Sequence, residues 1–242
     1  MGQHPIVTLF MNPSSSSSSD HDAEAAPKRI YLLEDHPTMR SGIKHLLEED
    51  GACCIVGESA QAAEALESVP TLRPDLVIAD LVLEGQSGLD FLKLSLQSMP
   101  ELSVLVYSMH EEKYYAERVL TAGGRGYLMK SSPSETLVHA VRQVLEGQVY
   151  LSPSMSGQLL DRLSRSPSKS NVPLSPIERL TDRELEILTW IGRAKTSMEI
   201  SKLLNISVKT VETHRSHMRQ KLMLRSRHEL MQLAIRWVEH AV

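Results

Sequence analysis

Four short apolar runs in the N-terminal part of this 242-residue chain each lead to a polar group able to do chemistry. The run at 30–33 ends in Glu34 and Asp35, the run at 76–79 in Asp80, the run at 104–106 leads to Ser108, and the run at 127–129 ends in Lys130. Gathered at one place, three carboxylates would repel one another, and one would tend to take up a proton. A hard divalent cation removes the conflict: Mg2+ takes a few carboxylates and a carbonyl while keeping several waters. A lysine and a hydroxyl opposite that cation suit the oxygens of a phosphoryl group in transfer. Taken singly, such residues signify little, because an Asp after an apolar run commonly caps a helix or forms a turn. Their weight lies in co-occurrence and order.

What must position them is an alternation of strands and helices. The apolar runs at 30–33, 53–56, 76–79, 104–106 and 127–129 alternate with helical spacing over 38–49 (Met39, Ile43, Leu46, Leu47), 61–69, 89–96, 113–122 and 133–146. Short strands that are apolar on both faces belong in a parallel sheet covered by helices, so the expected fold is a doubly wound α/β domain. In such a sheet, ligands bind beyond the carboxyl ends of the strands, where the four groups above would gather.

The flanking sequence differs. Residues 1–27 hold the run Ser14 to Ser19 and read as a solvated low-complexity tail. Cys53 and Cys54 sit inside an apolar run and read as small buried hydrophobes, with no zinc spacing. Residues 148–175 are rich in Ser and Pro, with one amphipathic patch at Leu159, Leu160 and Leu163, and read as a linker with one helix. No apolar stretch approaches the roughly 18 residues of a membrane span, and no signal peptide or myristoylation pattern opens the chain. The expectation is a soluble, cytoplasmic protein without a membrane partner. Charge is uneven: residues 175–242 hold 12 Lys and Arg against 8 Asp and Glu, the remainder 14 against 22. An acidic front and a basic back suit a cation at one end and a polyanion at the other.

Residues 176–242 are helical in pattern. Thr181 stands three residues before Glu184, the spacing of a capping box. The helix over 197–205, the turn at Ile206-Ser207 and the helix over 208–223 form a helix-turn-helix. With Val211 set at zero and about 100° per residue, Met218 and Leu222 fall within about 20° of it, the buried stripe. Lys209, Thr213, Ser216 and Gln220 fall between about 140° and 200°, facing away from the core toward any DNA. Thr210, Glu212 and His217 lie on the flanks. Arg215, at about 40°, is expected to make phosphate or intramolecular contacts.

The segments Leu33-Glu34-Asp35-His36, Asp75 to Asp80, Tyr107-Ser108 and Gly126 to Lys130 resemble the receiver domain of two-component response regulators, over residues 28–147. The resemblance implies a five-stranded sheet in the order 2-1-3-4-5 and a phosphoryl group accepted on Asp80 from a histidine kinase. It implies Mg2+ held by Glu34, Asp35, Asp80 and the backbone carbonyl of Val82. Ser108 and Lys130 would bind the phosphoryl oxygens, and Tyr127 would change rotamer as Ser108 moves. Glu84 and Ser131 depart from the family, which often has proline at both places, and Glu84 is expected to tune phosphoryl lifetime or metal affinity. The segments Leu180 to Glu184 and Ser207 to Arg215 resemble the LuxR-type module of NarL/FixJ-like regulators. That implies DNA contacts from Lys209, Thr210, Glu212, Thr213 and Ser216, within a motif running from about Ser197 to Ser216. It also implies that the last helix, near 228–238, pairs two copies on a two-fold site.

The resulting expectation is a non-enzymatic transcription regulator whose receiver, before phosphorylation, hinders DNA binding or pairing. Two rivals stand beside it: an orphan regulator whose acidic pocket is a relic or ligand site, and a Mg2+-dependent phosphohydrolase. Asp80-Leu-Val lacks a second acid two residues on, which speaks against the hydrolase.

Overall fold

The computed structural model describes residues 26–49, 51–83, 86–164 and 176–239. The serine run, Glu84, residues 165–175 and the side chain of Leu163 lie outside the described residues. Strands β1 (Lys28–Leu33), β2 (Cys53–Ser59), β3 (Leu76–Ala79), β6 (Ser103–Ser108) and β7 (Gly126–Met129) form one sheet in the order β2-β1-β3-β6-β7, every pair parallel. Numbering only the five strands of this sheet, that is the expected order 2-1-3-4-5. Strands β4 (Val82–Leu83) and β5 (Gln86–Ser87) form a small antiparallel hairpin after β3 that periodicity does not reveal, because each strand has two residues.

Side chains alternate across the sheet, as a period of two demands. Ile30 and Leu32 of β1 point to the face covered by α1 (Pro37–Glu48) and α5 (Ser134–Leu145), where they meet Ile43, Leu47, Leu137 and Val141. Tyr31 and Leu33 point to the other face, covered by α2 (Ala62–Leu72), α3 (Gly88–Ser98) and α4 (Glu112–Thr121), with Ala65, Leu92 and Ala116. Burying each such aliphatic side chain contributes about 1.5–3 kcal/mol, so β1, apolar on both faces, belongs inside the sheet. Cys53 and Cys54 are half-buried in β2.

The segment expected to be a linker is in part packed. Tyr150 lies beside Gly126 as an isolated parallel bridge, its carbonyl accepting from the Tyr127 N–H at 3.0 Å. Helix α6 (Pro153–Ser164) then buries Met155 and lies against α4. The chain is thus anchored to the receiver well past residue 147.

The C-terminal unit is all helical: a 3-10 turn at Pro176–Arg179, then α7 (Asp182–Gly192), α8 (Ser197–Leu203), α9 (Val208–Lys221) and α10 (Arg227–Glu239). The capping box at Thr181 and Glu184 forms as its spacing predicts, and Thr196 with Glu199 makes a second. Val211, Met218 and Leu222 are buried, as the helical angles require. They share the core with Leu185, Leu188, Ile200, Leu230 and Ala234. Helices α7 and α10 cross so closely that a Cβ on Gly192 would lie 2.1 Å from the Ala234 carbonyl oxygen.

Candidate functional site

Sheet register carries the predicted acidic residues to one edge. Leu33 pairs with Ala79, Ala79 with Val106, and Ser108 with Met129, so the residues ending these strands are neighbours. The ladder continues one step past the strands: the Asp80 N–H donates to the Leu33 carbonyl at 2.9 Å, and the Lys130 N–H to the Ser108 carbonyl at 2.7 Å. The Lys130 ammonium lies 2.7 Å from Asp80 Oδ2 and 2.5 Å from Glu34 Oε2, with its side chain only 3% exposed. Burial works against that ammonium, but Asp80 and Glu34 outweigh it and push Lys130 above its ordinary pKa. Asp80 Oδ1 accepts from the Leu81 N–H at 2.6 Å. Gly88 makes this turn possible: a Cβ there would lie 1.8 Å from the Asp80 carbonyl oxygen.

Glu34, Asp35 and Asp80 set three carboxylates against one ammonium. Ser108 Oγ is buried without a hydrogen-bond partner among the described residues, and buried Asp35 Oδ1 is met only by the His36 ring. Buried polar atoms are seldom left so unless something else satisfies them. An acid pocket two charges short of neutrality fits a divalent cation held by oxygen donors, and the orphaned hydroxyl fits an anionic oxygen beside it. His36 is the N-cap residue of α1, a helix-start position; its exposed ring leans on Asp35 at 2.7 Å and Glu34 at 3.2 Å. Val82 is buried at the start of the hairpin after Asp80. The Lys130–Ser131 peptide is trans.

Tyr127 is fully buried and its hydroxyl donates to the His110 carbonyl at 2.8 Å. The His110 imidazole in turn stacks on Trp237 of α10, ring centroids 5.8 Å apart, and Tyr114 of α4 meets the same indole at 4.8 Å. Trp237 is tied to its own domain through Nε1, which donates to Thr189 Oγ1. Beside these rings lies an ionic seam. Asp182, the first residue of α7, accepts from Lys93 of α3 at 2.6 Å and from Arg118 of α4 at 2.6 Å. Arg118 also donates to the carbonyls of Leu180 and Glu178. The α3–α4 side of the receiver therefore holds the start of α7 and the end of α10. Burial pushes His110 down to about 4, so its ring is neutral at neutral pH.

In the helix-turn-helix, Lys209, Thr210 and Thr213 are exposed and Ser216 is half-buried on the outward side of α9. Thr210 bonds the Ser207 hydroxyl, and Thr213 donates to the Lys209 carbonyl. Glu212 is engaged within the protein, by Ser197 and Arg227, and Arg215 donates to Ser197 at 2.7 Å, the intramolecular contact its angle suggested. Among the described residues no helix is long and apolar enough to cross a membrane.

Sequence reasoning passed over His110, Arg118, Lys93, Asp182 and Trp237, the groups that join the domains. Trp237 was one of only two tryptophans in the chain, a signal that could have drawn attention.

Residues 30–142 match the response regulator receiver domain family and residues 178–234 the luxR family of bacterial regulatory proteins. The oxygen regulatory protein NreC of Staphylococcus carnosus is 34% identical over 86% of this chain and 97% of its own length. A LuxR-family two-component response regulator from Aurantimonas is 31% identical, with a TM-score of 0.54 over 57% of this chain and 99% of that one. RcsB of Salmonella enterica, solved on promoter DNA with the phosphomimetic BeF3−, shares the fold at 23% identity, with a TM-score of 0.64 over 86% of this chain and 98% of that one. This chain belongs to the two-component response regulators that join a receiver to a LuxR-type DNA-binding domain, and it is a phosphorylation-controlled regulator of transcription.

Proposed function

We propose that Asp80 is the phosphoryl acceptor and that its modification governs DNA binding through the contact between receiver and α10. The observation that carries this is the Lys130 ammonium bonded to Asp80, beside a Ser108 hydroxyl with no partner of its own among the described residues. A histidine kinase is the donor the family implies. A carboxylate oxygen of Asp80 forms the new O–P bond as the N–P bond of a phosphohistidine breaks, and the imidazole leaves with a proton. Receiver domains use Mg2+ in this chemistry. Glu34, Asp35, Asp80 and the Val82 carbonyl are the donors we assign to it. Bound there, the ion would neutralise charge on the carboxylates and the phosphoryl oxygens. Lys130 would exchange part of its present pairing with Glu34 for a phosphoryl oxygen, and Ser108 would donate to another.

Movement of Ser108 frees space beside Tyr127, whose hydroxyl bonds the His110 carbonyl. A change there acts directly on the ring seated against Trp237. The outward face of α9 is exposed while α10 is held, so the contact restrains pairing and orientation more than it covers the reading face. Release would let two copies pair through α10, where Met231 and Ile235 form an exposed apolar i,i+4 pair. Lys209, Thr210, Thr213 and Ser216 would then enter the major groove of a two-fold site. The cytoplasm is where such a kinase and DNA would both be met.

The test is phosphoryl labelling by acetyl phosphate with Mg2+, followed by DNA binding with and without the donor. Asp80→Ala should take up no label and gain no affinity. Full labelling of that variant would put the acceptor elsewhere; donor-independent binding by the unaltered protein would favour the orphan regulator.

A further inference from the structure

We infer that Glu212 is a positioning residue that fixes the recognition helix against α8 and α10, and not a reader of base edges. The inference rests on the DNA-binding reading of α9 and deepens it.

Glu212 sits about 100° around the helix from the buried Val211, on the flank of the outward face defined by Lys209, Thr213, Ser216 and Gln220. Its two oxygens are directed to different helices. Oε1 accepts from the hydroxyl of Ser197, the first residue of α8, at 2.5 Å, and Oε2 lies 3.1 Å from the guanidinium of Arg227, the first residue of α10. The same Ser197 hydroxyl accepts from Arg215 at 2.7 Å, so one serine joins two side chains of α9 to the start of α8. The α8–α9 angle decides how α9 meets a groove, and this clamp holds the start of α8, the end remote from the turn, against α9.

Charge supports the assignment. Arg215, Arg219 and Arg227 surround this one carboxylate, and Arg215 is half-buried. Nε of Arg215 and Nε of Arg219 are buried without partners among the described residues. Removing Glu212 would leave these guanidinium groups to repel one another in a partly desolvated place. A carboxylate facing DNA gains only where it accepts from a cytosine amino group, and phosphates repel it otherwise. With its oxygens turned to Ser197 and Arg227, Glu212 serves the clamp.

The full chain and, separately, each of the variants below, with beryllium fluoride and Mg2+, are used to select from a random-sequence duplex library. The enriched duplex then becomes the probe for titrations of Glu212→Gln, Glu212→Ala, Ser197→Ala, Arg227→Ala and the Glu212→Ala/Ser197→Ala double variant. The expected result is one shared enriched sequence for all variants, with binding to it about tenfold weaker in Glu212→Ala. Glu212→Gln should lose less, because its amide oxygen still accepts from Ser197, and Ser197→Ala should cost little more once Glu212 is gone. The inference is overturned if Glu212→Ala relaxes the choice of a single base per half-site while Ser197→Ala and Arg227→Ala leave it intact, or if the two losses simply add. Failure of the unaltered protein to enrich any sequence would instead remove the DNA-binding reading itself, and this inference with it.

Discussion

The Tyr127 hydroxyl and the His110 carbonyl are 2.8 Å apart, which joins the buried end of the fifth sheet strand to the loop before α4. That loop carries the imidazole on which Trp237 of the output domain rests. Three aromatic rings of the receiver, His110, Tyr114 and Tyr115, approach that indole, so a small change in the loop has a large apolar surface to act on. Beyond this seat the two units are held chiefly by Asp182, between Lys93 and Arg118.

Arg118→Ala should uncouple the domains. It removes the ion pair to Asp182 and leaves the Leu180 and Glu178 carbonyls to water, while its own helix keeps its buried Tyr115, Ala116 and Val119. Coupling between sites of this kind is worth about 1–3 kcal/mol, so basal DNA affinity should rise roughly five- to a hundredfold and respond little to phosphoryl donor. Titration of a DNA duplex with and without beryllium fluoride reads the effect. An Arg118→Ala protein that still needs the donor in full would show that the seam does not restrain binding.

Lys130→Ala should reveal the charge balance of the pocket. Glu34 and Asp80 lie 2.5 and 2.7 Å from this ammonium, and its loss leaves two buried carboxylates facing each other with no cation. Breaking a buried pair in this way costs about 3–5 kcal/mol. Added Mg2+ should recover more stability in the variant than in the unaltered protein, because the ion takes over part of the ammonium's work. Urea unfolding across a Mg2+ series measures both; equal gains in the two proteins would argue against a cation among these acids.

Much of this is legible in the sequence, for physical reasons. Strands buried on both faces must be continuously apolar, so the residue that ends each one stands out, as Asp80 after Ala79 and Lys130 after Met129. Helix caps are equally local: Thr181 and Glu184 declare α7 in four residues. The contact between domains is not legible, because it depends on surface residues with no periodic signature. Arg118 reads as an ordinary helix cation and Asp182 as a first-turn acid until packing brings them to 2.6 Å. The hairpin after Asp80 escapes for another reason: two-residue strands have no period, and Gly88 reveals its role only through the carbonyl it would strike.

Gly88→Ala should impair the acceptor without touching an acidic residue. The added methyl would meet the Asp80 carbonyl oxygen at 1.8 Å, which backbone cannot tolerate, so the Asp80 turn must shift. A misplacement on the order of 1 Å at a reacting group can cost about a hundredfold in rate. Labelling by acetyl phosphate should slow accordingly while far-UV circular dichroism stays near that of the unaltered protein. An unchanged labelling rate would mean that the loop accommodates the methyl without moving Asp80.

Acid should loosen the seat of Trp237 through His110. The imidazole is pushed from an ordinary 6.5 to about 4 by burial; Asp80 opposes that shift, and Arg193 and Lys130 add to it. Around the ring stand Tyr115 and Trp237, and Glu111, Tyr114 and Arg236 line the adjoining groove with it. A histidine whose folded pKa is depressed binds its proton in the unfolded chain first, so its neutral form supports folding fully above about pH 6.5. That support is lost as pH falls from 6.5 toward 4, to a limit of about 3 kcal/mol. Unfolding free energies of the unaltered protein and of His110→Gln, followed over this window, isolate the contribution from that of the carboxylates. The unaltered protein should lose stability more steeply than the variant, and parallel curves would show that His110 binds its proton as readily folded as unfolded.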